Sequence, residues 1–172
     1  MLRTKHRSLL RAKEQRELLQ QLSATPGLVH RLLADKTATK AGVERVVLED
    51  KTELLLVQGQ AWLVRQPDLL LPALPALLDG AIELPKVVVD TGAVPHVAKG
   101  ADVMAPGIVE VDSNLAEGAL VVIVDQKNRT PIAVGRMLTD GRNIEQMGKG
   151  RAVQTLHHVG DPLWKLMKSL SG

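Results

Sequence analysis

Two adjacent histidines, His157 and His158, are the first residues of this 172-residue chain to invite a metal-binding reading. Neighbouring residues of a strand point to opposite faces, so the pair does not converge on one ion. Cysteine is absent, which excludes disulfides, thiol nucleophiles and Cys-ligated zinc. Asp90, Asp102 and Asp112 fall on different turns and offer no acid–base dyad. No glycine-rich cofactor loop follows a strand, and nothing has the form of a methyl-transfer motif. No catalytic residue, metal or cofactor is therefore expected.

Chemistry suited to polyanions remains. Lys and Arg number 22 against 19 Asp and Glu, a formal charge of +3 with a pI near 9.3, which mildly favours anionic partners. Arg3, Lys5, Arg7, Arg11, Lys13 and Arg16, with His6 among them, face only Glu14 and Glu17 near the N-terminus. That cluster could contact phosphate; solvation of an N-terminal strand and helix is the competing explanation. Aromatic side chains are scarce: there is no Phe or Tyr, and only Trp62 and Trp164. A nucleic-acid reader built on stacked rings is thus disfavoured, and recognition through backbone, phosphate and shape is favoured.

The elements that must position these residues fall into two halves. In residues 1–84, Leu18, Leu19 and Leu22 recur at helical spacing within Leu9 to Leu22, and Pro26-Gly27 closes that helix. Val43 to Leu48, Glu53 to Val57 and Ala61 to Val64 read as a three-stranded antiparallel meander. Leu69 to Leu78, broken by Pro72 and Pro75, reads as a core helix or turn, with a helix from Pro72 to about Leu78. It falls short of the roughly 18 apolar residues a membrane span needs. Met1 to Lys13 lacks the apolar run of a signal peptide, so a cytoplasmic protein is expected.

From Pro85 the character changes. A Val-rich strand, Pro85 to Asp90, is followed by Gly92, Gly100, Gly107, Gly118, Gly135, Gly141, Gly148, Gly150 and Gly160. Short strands punctuated in this way specify a small barrel. The expected strands are Asp102 to Met104, Gly107 to Val111, Leu120 to Val124, Ile132 to Leu138 and Ala152 to His157. Asp125 to Thr130 forms a polar hairpin tip, and Pro162 to Leu170 a helical turn that packs Trp164 and Leu166.

Val87 to Val109, VVVDTGAVPHVAKGADVMAPGIV, resembles the opening of the PUA domain, named for pseudouridine synthases and archaeosine transglycosylases. Ala133 to Arg136 resembles the strand where such domains place a close-packed Gly and a basic neighbour. Gly148 to Leu166, GKGRAVQTLHHVGDPLWKL, resembles the end of one subgroup: translation-associated proteins related to the eukaryotic protein multiplied in T-cell malignancies and to the PUA part of ligatin. The resemblance implies an α+β fold with an α/β pre-PUA module over 1–84 and a PUA β-barrel over 85–172. Compactness, Leu-rich composition and lack of extensions point to an archaeal-like member.

The same resemblance implies non-catalytic RNA binding in translation, with tRNA or small-subunit rRNA as ligand. The small ribosomal subunit and an initiation-factor-1-like protein are the implied partners. The RNA-facing element would be the glycine-bounded first helix, from Thr91 to Lys99. Carried over residue by residue, the RNA-binding set is Thr91, Gly92, Ala93, His96, Lys99, Gly100, Ala101, Asp102, Met104, Arg136, Lys149, Gly150 and Arg151. Barrel turns for the glycines, core packing for Ala101 and Met104, and solvated charge for Lys99, Arg136 and Arg151 are the competing explanations. Two other functions stay open: an RNA-modification enzyme or its accessory subunit, and a protein-interaction module in a ribosome-associated complex.

Overall fold

A computed structural model describes residues 2–31 and 40–172. The chain divides into two units, Met1–Glu83 with Lys165–Gly172, and Leu84–Trp164.

The first unit is built on a five-stranded antiparallel sheet. Its strands run β1 (Thr4–Leu9), β3 (Val43–Leu48), β4 (Glu53–Val57), β5 (Gln60–Gln66) and β6 (Leu69–Pro72), in that spatial order. Helix α1 (Ala12–Ala24) buries Leu18 and Leu22, the positions its period assigns to the core. Glu14 helps start it, accepting from the Arg11 backbone N–H at 2.8 Å. A two-stranded ladder joins β2 (Val29–His30) to β7 (Ile82–Glu83), and α2 (Leu74–Leu78) follows β6.

The N-terminal helix is preceded by the edge strand β1, which pairs with β3. Its sequence TKHRSL is almost wholly exposed, so hydrophobic alternation does not set its bounds. One expectation changes: Leu69 to Pro72 is a strand and not helix, and Pro72 is tolerated because β6 lies at the sheet edge.

The second unit is one six-stranded sheet. In spatial order it runs β10 (Ile108–Val111), β8 (Lys86–Val89), β11 (Leu120–Asp125), β12 (Pro131–Met137), β13 (Arg151–His158) and β9 (Val103–Met104). All neighbours are antiparallel except β8 and β11, which run parallel with Val87 beside Ile123. Strands β8 and β11 are interior and covered on both faces, which explains their unbroken runs VVV and VVIV. Val87, Val89, Val121 and Ile123 form the core with Val97, Val103, Met137, Ile144 and Val153.

The expected barrel does not close. Strands β9 and β10 occupy opposite edges of the sheet, and no backbone ladder joins them among the described residues. They are, however, consecutive in sequence, linked only by the 3-10 turn Ala105–Gly107. The sheet must therefore curl until its edges lie within a three-residue span. The chain itself, and not a row of hydrogen bonds, crosses the seam.

Gly135 allows this curl. An added Cβ would stand 2.6 Å from Val153 Cγ1 and 2.8 Å from the Gln154 carbonyl oxygen, so β12 and β13 cross too closely for a side chain. Two short helices complete the unit, α3 (Val94–Val97) and α4 (Gly141–Ile144). The C-terminal helix α5 (Pro162–Leu170) is longer than a turn, and its fully buried residue is Met167, while Trp164 and Leu166 are half-buried. No helix among the described residues is long and apolar enough to cross a membrane.

Candidate nucleic-acid interface

The Val-rich strand β8 runs into Asp90, whose carboxylate accepts from the Ala93 backbone N–H at 2.8 Å and so turns the chain into α3. That helix ends in a paired cap. The Gly100 N–H donates to the Val97 carbonyl at 2.9 Å, and the Ala101 N–H reaches back to His96 at 3.1 Å. Such a cap needs a left-handed residue, and Gly100 has φ +91°. His158 packs beneath it: its Nδ1 lies 2.9 Å from the Val159 carbonyl, and its Nε2 would be 2.9 Å from any Cβ at position 100.

Asp102 then locks the chain onto β13. One carboxylate oxygen accepts from the Thr155 backbone N–H at 3.0 Å and the other from Arg151 Nη1 at 2.8 Å. Thr155 returns the contact, its hydroxyl donating to the Ala101 carbonyl at 2.8 Å. These bonds join residues about fifty positions apart and set β9 against β13, where Met104 lies opposite Arg151.

The result is an open pocket of about 650 Å³. Seven residues of the expected RNA-binding set line it: Gly92, Ala93, His96, Ala101, Asp102, Met104 and Arg151. Asp90, Val97, Val103, Pro106 and Gly107, which sequence reasoning assigned to turns and strands, line it as well. Thr91, Lys99 and Gly100 flank it on the same segment but do not line it. Gly150, with φ +97°, gives its carbonyl to the Ala105 N–H at 2.9 Å, and Lys149 is exposed just before it. Arg136 lies on β12 opposite Gln154 and is not part of the lining.

Core packing does not account for Met104 or Ala101. Met104 is 48% exposed, and Ala101 is exposed as well. Met104 therefore presents a large apolar side chain to solvent at the pocket. The walls are aliphatic, the rim carries Arg151 and His96, and the pocket size lies within the usual range for ligand sites. Asp90 and Asp102 do meet in this pocket, but their carboxylates are engaged by Ala93, Thr155 and Arg151 and are not poised as an acid–base pair.

The adjacent histidines separate as the strand geometry requires. His157 is fully buried and His158 half-buried. His157 Nδ1 lies 2.7 Å from Asp161 Oδ2, which also accepts from the His158 N–H at 3.0 Å. Asp161 Oδ1 accepts from the Trp164 N–H at 2.7 Å, capping α5. Burial pushes the Asp161 carboxyl up; the His157 contact and the backbone N–H groups outweigh it and hold it below the ordinary carboxylate range. No group of three or more metal-ligating side chains occurs among the described residues.

Residues 85–159 match the PUA domain family. An uncharacterized protein of Methanocaldococcus jannaschii is 38% identical, over 76% of this chain and 80% of its own length. Malignant T-cell-amplified sequence 2 of Homo sapiens is 30% identical, over 74% of this chain and 72% of its own. The chain belongs to this PUA-domain family. Translation machinery-associated protein 20 of Saccharomyces cerevisiae is 29% identical over 92% of this chain and 91% of its own length. A crystal structure of a hypothetical protein from Pyrococcus horikoshii superposes with a TM-score of 0.80 at 32% identity, covering 94% of this chain and 99% of that one. The pocket thus lies inside the stretch that carries the PUA match.

Proposed function

We propose that the protein is a non-catalytic RNA-binding protein of the cytoplasmic translation apparatus, with the pocket bounded by α3, β9 and Arg151 as its RNA site. The observation that carries this reading is the convergence of exposed Met104, the backbone turn at Gly92-Ala93 and the Arg151 guanidinium on one aliphatic cavity within the PUA stretch. Backbone turns without bulky side chains admit a sugar or phosphate, a guanidinium answers its charge, and an aliphatic wall accepts a base face without stacking rings.

The kinship with translation machinery-associated protein 20 and malignant T-cell-amplified sequence 2 supports a role in translation. Transfer RNA or small-subunit rRNA is the ligand, with the small subunit and an initiation-factor-1-like protein as partners. In this reading residues 1–84 are a pre-PUA module and residues 85–172 the RNA-binding domain. Thr91, Lys99, Gly100, Lys149 and Gly150 border the site, and Arg136 contacts RNA from the neighbouring strand.

Fluorescence anisotropy with labelled tRNA and small-subunit rRNA fragments tests the reading. Salt-dependent binding that Arg151→Glu weakens about tenfold or more supports it. Binding indifferent to salt and to Arg151→Glu rejects it. A modified nucleoside detected by mass spectrometry after incubation with RNA would overturn the non-enzyme part.

A further inference from the structure

The sheet has a second recess, on the other side of the Ala105–Gly107 turn. It measures about 380 Å³ and is lined by all four residues of β10 together with Pro106, Ile144, Glu145 and Met147. Successive residues of a strand point to opposite faces. A recess lined by four in a row therefore runs along the edge of the strand and not over one face of the sheet. Strand β10 pairs only with β8, and its other edge has no partner strand among the described residues. Alternate N–H and C=O groups of such an edge point away from the paired strand.

We propose that this groove takes an extended polypeptide segment that adds to the sheet along β10. Its occupant carries aliphatic residues alternating with Lys or Arg, and it comes from a partner protein. Three observations select that chemistry. Val109 is 47% exposed at a bulge between Ile108 and Glu110, and Ile144 and Met147 also line the groove, so its largely polar lining is interrupted by aliphatic contacts. Glu110 and Glu145 both line the groove and are exposed, so it meets the occupant with carboxylates. Those charges repel RNA phosphate, and they repel a second copy of the same edge, whose own Glu110 would come alongside.

Arg129 approaches Glu110 at 2.8 Å, but this pair is solvent-exposed on both sides and exchanges readily for a partner's cation. Main-chain bonds would supply affinity, and the alternating side chains register and choice. The inference stands independently of RNA binding in the first pocket.

The test is an amide chemical-shift titration of the ¹⁵N-labelled full chain with two blocked peptides, one alternating Val and Lys, the other Val and Glu. The expected result is saturable shifts at Ile108 to Val111 and Ile144 to Met147, with the Lys peptide binding about tenfold more tightly than the Glu peptide. Glu145→Lys and, separately, Val109→Lys should each abolish that preference while leaving the thermal melt and the remaining amide shifts unchanged, which reports the fold. Absence of saturable shifts, equal binding of both peptides, or shifts confined to the Met104 and Arg151 pocket would overturn it.

Discussion

The Arg151 guanidinium stands 2.8 Å from the Asp102 carboxylate, so an exposed cation of the pocket lining is held by the residue that leads into β9. The two partners play unequal parts. Arg151 is 64% exposed on its side chain against 21% for Asp102, and only Asp102 also satisfies a backbone N–H.

Arg151→Ala should change stability by no more than ~1 kcal/mol, because exposed pairs contribute little. It should nevertheless flatten the plot of log affinity against log salt by about 0.7–0.9 for each phosphate that the guanidinium no longer neutralises. Asp102→Ala should cost ~1–3 kcal/mol, since the Thr155 N–H loses its acceptor. Urea denaturation and anisotropy across a salt series separate the two effects.

Lys99→Glu and Arg136→Glu should both weaken RNA binding. Lys99 is exposed beside the pocket, and its reversal should cost about tenfold at moderate salt. Arg136 lies a strand away, opposite Gln154, and should cost less. A larger effect from Arg136 in the same assay would move the centre of the interface onto β12.

Gly100→Ala forces a side chain to a φ of +91° and pushes it against His158. A loss of ~1–3 kcal/mol is expected, with weakened RNA binding because the Ala101 turn must shift. Adding His158→Ala should recover part of the loss by removing the clash but not the φ strain. Gly135→Ala meets the Gln154 backbone, which cannot step aside, and should cost more than Gly100→Ala. Thermal melts of these variants rank the outcomes.

Acid should loosen the N-terminal cap of α5. The Asp161 carboxyl lies below the ordinary carboxylate range in the folded chain, so its stabilisation is complete above the unfolded value of about 4. It is lost as the pH falls through the lower folded value. Asp161→Asn should cost ~1–3 kcal/mol at neutral pH, and the gap from wild type should narrow towards pH ~3. Urea midpoints across that range measure both.

Much of this was legible in the residues. The Val runs of β8 and β11, the helix-ending Gly100 and the polar tip from Asp125 to Thr130 follow from patterning and turn chemistry. The bounds and pairing of strand β1 were not legible, because its residues are exposed and polar and only pairing with β3 defines them as a strand. Barrel closure was over-read, since glycine spacing reports bends and not whether the last two edges pair. Within the site, the Gly92 to Met104 run was recognisable as a unit. That Asp102 would be spent on Thr155 and Arg151 was not, because those bonds join segments some fifty residues apart.

Among the described residues strand β9 pairs with β13 alone, through Val103 opposite Val153 and Met104 opposite Arg151. A chain emerging from its N-terminus therefore exposes the Gly92 to Ala101 turn long before the strand that braces it exists. Closing a loop of that length costs little more than closing a shorter one, but it cannot begin until Arg151–His158 has been made. The pocket is then among the last features of its unit to form. A nascent or truncated chain ending before Arg151 carries most of the PUA sequence and no formed pocket.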